Sequence, residues 1–90
     1  MIKVERKGEN TYQVTLEEGG SRSRHVVTLE EDYHRRLTGG RITAEALIRR
    51  SFEFLLARES KESILSSFDL PVIERYFPGY ERWIRGRMTR

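Results

Sequence analysis

The alternation in residues 11–17, Thr-Tyr-Gln-Val-Thr-Leu-Glu, constrains this chain more than any other stretch. Tyr12, Val14 and Leu16 fall on one side of an extended backbone, and Thr11, Gln13, Thr15 and Glu17 on the other. Period two with β-branched and aromatic residues is the pattern of a half-buried strand. Gly19-Gly20 follows, supplying positive-φ positions for a turn, and Arg22–Leu29 alternates again, with His25, Val27 and Leu29 opposed to Arg24, Val26 and Thr28. Upstream, Ile2 and Val4 alternate with Lys3 and Glu5 ahead of the turn cluster Gly8-Glu9-Asn10. Links this short join antiparallel neighbours, so the first third reads as a three-stranded antiparallel meander over about 2–6, 11–17 and 22–29. One face of it is apolar and needs a cover.

The remaining residues supply that cover as helices. Glu30, Glu31 and Asp32 place acids where a helix N-terminus favours them, Tyr33 and Leu37 share a face, and Gly39-Gly40 closes a short helix over about 30–37. Thr43 is placed to cap a longer one, about 43–59. Its apolar stripe is Ala44, Leu47, Ile48, Ser51, Phe52, Leu55 and Leu56, with Glu45 and Arg49 as an i, i+4 pair on the polar side. Residues 61–67, carrying Ile64 and Leu65, read as another short helix. Asp69-Leu70-Pro71 restarts a helical stretch over about 71–85, punctuated by Pro78-Gly79. The expected fold is α+β, a meander covered by three to four helices in a single domain spanning 1–90.

Charge narrows the partners. The chain is net +3, but residues 82–90 hold Arg82, Arg85, Arg87 and Arg90 with no acid. The rest, 13 basic against 14 acidic residues, is net −1, so the basicity belongs to a C-terminal tail expected to fray. A dedicated nucleic-acid binder carries its basic face on the folded body. There is no cysteine, which removes disulfides and thiolate chemistry. No apolar run approaches the roughly 18 residues that span a bilayer, and the N-terminal residues lack the apolar region of a signal peptide. The expected location is the cytoplasm.

No catalytic constellation emerges. The histidines are His25 and His34, without metal-ligand spacing, and neither glycine pair belongs to a phosphate-binding loop. Acids are plentiful and no pair is distinguished. The reading is therefore non-enzymatic, with no cofactor, metal or small-molecule substrate. Tyr76, Phe77, Tyr80 and Trp83 read as rings that complete the small core.

From the third strand through the long helix, "HVVTL", "EEDYHRRL", a glycine turn and "ITAEALIRRSFEFLL" resemble the ribbon-helix-helix fold of small bacterial repressors and antitoxins. The resemblance covers residues 22–59. It implies that Arg22, Arg24 and Thr28 lie on a strand face presented to the DNA major groove, with Thr43 near a phosphate. The run "FEFLL…ESIL…FDL…I…YFP" is also similar to small bacterial proteins of unknown function.

The leading expectation is a binding or regulatory module that acts through protein–protein contacts or self-association, the edge of its small sheet being free to pair in a homodimer. DNA binding through Arg22, Arg24 and Thr28 is the alternative. A tether to RNA or an anionic surface through Arg82, Arg85, Arg87 and Arg90 is the second alternative.

Overall fold

The computed structural model describes residues 1–88; Arg90, among the candidate contact residues, lies outside the described residues. The elements in order are β1 (Ile2–Arg6), β2 (Thr11–Glu18), β3 (Ser21–Thr28), α1 (Glu31–Thr38), α2 (Ala44–Leu56), a 3-10 turn (Lys61–Ser63), β4 (Ser67–Asp69), α3 (Val72–Tyr76) and α4 (Tyr80–Met88). This is an α+β fold: a sheet in the order β1-β2-β3-β4 with helices packed on one face.

The first three strands form the antiparallel meander, with Val4 opposite Val14 and Val14 opposite His25. Gly19 and Gly20 make the β2–β3 turn at φ 59° and 81°, a region a side chain enters only at a cost. Tyr12, Val14, Leu16, His25, Val27 and Leu29 are buried, whereas Arg22, Arg24 and Val26 face outward. The period-two pattern therefore assigned the faces of β2 and β3 as they stand.

Helix α2 lies under the sheet and carries most of the core. Leu47, Ile48 and Phe52 are fully buried, and the Phe52 ring sits between those of His25 and Phe68 at 5.6 and 6.0 Å. Its N-terminus is capped by Thr43, whose Oγ1 accepts from the Ala46 amide at 3.0 Å. Removing that acceptor orphans a backbone N–H. Thr43→Ala is expected to lower the unfolding free energy by about 1 kcal/mol in urea titrations; an unchanged midpoint would mean the cap contributes nothing.

Helix α2 is buried on a second side that its stripe did not show. Phe54 packs against the rings of Phe77, Tyr80 and Trp83 at centroid distances of 6.0, 5.3 and 5.1 Å, under the Arg58 guanidinium at 3.6 Å. The helix is thus held between the sheet and the α3–α4 pair.

Two expectations are corrected. Residues 61–67 do not form a helix: one 3-10 turn is followed by extended backbone, and Ser67–Asp69 pair in parallel with Val26–Thr28. The exposed edge of β3 needed hydrogen-bond partners, and this segment provides them, with Val26 N–H donating to Ser66 O and Leu70 N–H to Thr28 O. Serines at 66 and 67 give little intrinsic reason to stay helical. The arginine-rich end also continues as helix to Met88. Tyr80 and Ile84, four apart and fully buried, pin it to the core. Its N-terminus is held by Glu74, whose Oε2 accepts from Gly79 N–H at 3.1 Å and Oε1 from Glu81 N–H at 2.9 Å. Those amide bonds hold the Glu74 carboxyl below the usual range.

Candidate binding surfaces

An apolar opening lies where the end of α2, the 3-10 turn, β4 and α3 meet. It is a groove of about 330 Å³ walled by Leu55, Leu65, Phe68, Tyr76 and Phe77. Leu65 is 45% exposed and Tyr76 66%, unusual for residues of that size in so small a protein. Their exposure follows from the backbone. Ile64 and Leu65 are adjacent on extended chain, so burying Ile64 turns Leu65 outward. In α3, five residues long, Ile73 is buried and Phe77 reaches Phe54, which leaves Tyr76 at the rim. Among the described lining residues the ionisable carboxylate is Glu59, and burial raises its carboxyl above the usual range.

His25 fastens this region to the sheet. Its Nδ1 lies 2.7 Å from the Leu65 carbonyl, which can only accept, so Nδ1 carries a proton. Ser23 Oγ is 2.9 Å from Nε2. A buried histidine on β3 therefore positions the groove wall in the segment running alongside that strand.

The candidate residues of β3 sit elsewhere, on the sheet face away from the helices. Arg22, Arg24, Lys3 and Thr15 share that face. Arg22 is paired with Glu17, its Nε donating at 2.7 Å, and the Thr28 hydroxyl donates to Asp69. Lys3 and Lys7 both lie 3.8 Å from Glu5. Among the described residues Arg24 has no ion-pair or hydrogen-bond partner. The face mixes signs, and Val26 stands in its middle. Arg82, Arg85 and Arg87 are exposed on α4, remote in sequence and fold from β3, with Arg87 stacked over Trp83 at 4.6 Å. The structure thus separates the two sets of candidate arginines.

A second cleft, about 480 Å³ between α2 and α4, is lined by Arg50, Glu53, Ala57, Trp83 and Arg87. Among the described residues no group of three or more histidines and acids is placed to hold a metal ion. No helix of the described residues is long and apolar enough to cross a membrane.

The sequence reading assigned Tyr76 to the core and gave Leu65 to a helix, so it missed the groove. The available signal was two adjacent apolar pairs, Ile64-Leu65 and Tyr76-Phe77, in segments too short to bury both members. Comparison of the chain with known protein families, curated proteins and solved structures finds no match.

Proposed function

We propose that this protein is a small non-enzymatic binding module whose working surface is the groove at Leu65 and Tyr76, and that it takes a short segment of a partner protein. The observation that carries this reading is a concave apolar opening walled by two exposed large side chains. Burying the exposed part of Leu65 alone gains about 1 kcal/mol, so an occupied groove is favoured over a wet one. Charge supports a choice of occupant. With Glu59 as the carboxylate in a mostly apolar lining, a segment with a large apolar anchor beside a lysine or arginine is complementary. A cation there restores the ionised form that desolvation disfavours.

Selection of a random phage-displayed peptide library on the full chain tests this. The expected peptides pair an aromatic or aliphatic anchor with a basic residue and shift the amide signals of Leu65, Phe68 and Tyr76. Tyr76→Ala is expected to weaken them by about thirty-fold, the loss of one well-packed anchor, with unchanged circular dichroism. No enriched peptide, or peptides indifferent to Tyr76→Ala, would overturn the reading.

DNA binding through Arg22, Arg24 and Thr28 has less support. Glu17 and Asp69 already engage two of these residues, and β4 occupies the outer edge of β3 at Val26–Thr28. The tether reading through α4 rests on exposed charge alone.

A further inference from the structure

The outer edge of β1 is open along its whole length, as is that of β3 over Ser21–His25, outside the Val26–Thr28 segment that β4 pairs. Met1 N–H donates to Glu17 O, Glu17 N–H to Met1 O and Lys7 N–H to Thr11 O. Hydrogen-bonded pairs alternate along an antiparallel ladder. With Lys3 opposite Thr15 and Glu5 opposite Gln13, residues 1, 3, 5 and 7 bond inward to β2. Ile2, Val4 and Arg6 therefore turn their amides and carbonyls outward. Arg49 confirms that direction, since its Nη1 reaches the Ile2 carbonyl at 2.5 Å.

We propose that this edge pairs with β1 of a second copy, antiparallel, about a two-fold axis at Val4. That register places Val4 against Val4 and Ile2 against Arg6, so all the outward N–H and C=O groups of the strand meet partners. It is also the register that the charges select. On the open face Lys3 comes opposite Glu5 of the second copy, and Glu5 opposite Lys3, two opposite-charge pairs from one symmetric operation. Centring the axis on Lys3 or on Glu5 would instead oppose like charges.

The helix layer repeats the complementarity. Arg49 sits beside Ile2, while Ala44, at the start of α2, borders the same cleft as Arg6 and Tyr12, so α2 runs antiparallel to β1. The two-fold brings the Ile2 end of one copy to the Arg6 end of the other, and so Arg49 towards Glu45 of the second α2. In the isolated chain Arg49 caps an edge carbonyl; in the pair it is released to a carboxylate. An edge strand whose charges are self-complementary on both faces fits a second copy better than it fits solvent.

Sedimentation velocity of the full chain across the micromolar range tests this, with Lys3→Glu, Glu5→Lys and the double exchange compared. The wild type is expected to approach dimer mass as concentration rises. Each single reversal creates two like-charge contacts and is expected to weaken the dimer by about ten-fold or more, and the double exchange to restore it. Amide hydrogen exchange gives an independent readout. Ile2, Val4 and Arg6 should gain protection with concentration, whereas Lys3 and Glu5, bonded to β2, stay protected throughout. A strict monomer, or a dimer indifferent to the single reversals, would overturn the proposal.

Discussion

Phe52→Ala is expected to cost about 3–5 kcal/mol, the range for deleting a buried ring where the surroundings cannot collapse. Phe52 has no exposed surface, and its neighbours come from three separate elements: His25 on β3, Phe68 on β4, and α2 itself. None of these can follow the shrinking side chain without breaking its own hydrogen bonds, since His25 is tied to Leu65 O and β4 to β3. A chain of 90 residues has a total stability of roughly 5–13 kcal/mol. The substitution therefore removes about a quarter of it or more, and urea titration should show the midpoint falling steeply with little change in slope. A loss below about 1 kcal/mol would mean that the ring does not fill the centre of the sheet–helix interface.

Alkali should unfold the protein through its buried tyrosines. Burial pushes the phenol of Tyr80 well above its usual value near 10, and burial together with the hydrogen bond to Glu81 does the same for Tyr33. Below pH 10 both phenols are protonated whether the chain is folded or not, so their contribution is fully present. Above it the unfolded chain releases protons that the native state retains. Stability then falls with rising pH, by about 1.4 kcal/mol per unit for each tyrosine and about 3 for the two.

Tyr80→Phe separates this effect from general alkaline denaturation. Ser51 Oγ donates to the Leu47 carbonyl, so the Tyr80 hydroxyl must be the donor to Ser51. Removing it costs about 1 kcal/mol at neutral pH through the lost buried hydrogen bond. Above pH 10 the variant should lose stability less steeply, and its curve should converge on the wild type. Parallel curves across the alkaline range would show that Tyr80 ionisation is not what the folded state resists.

The readings that held are those written in local periodicity. Strand faces follow from alternation at a period of two residues, and the cap at Thr43 from a hydroxyl three residues ahead of an amide. The groove and the free edge are of another kind. Tyr76 and Phe77 carry the same hydrophobic signal, yet Phe77 finds Phe54 and Tyr76 finds water. A free sheet edge was expected with no strand assigned to it; the structure covers Val26–Thr28 of β3 with β4 and leaves β1 open along its length.

By itself, then, the sequence determined the meander and the sheet-facing side of α2, because each depends on residues within a turn or two of one another. Tertiary structure decided that Ser67–Asp69 is a strand, that Phe54 is core, that Tyr76 is not, and that Ile2, Val4 and Arg6 present unpaired backbone. Periodicity tells a segment which side to bury. It does not tell it against what, and a strand three residues long has no stability except that of the neighbour it pairs with.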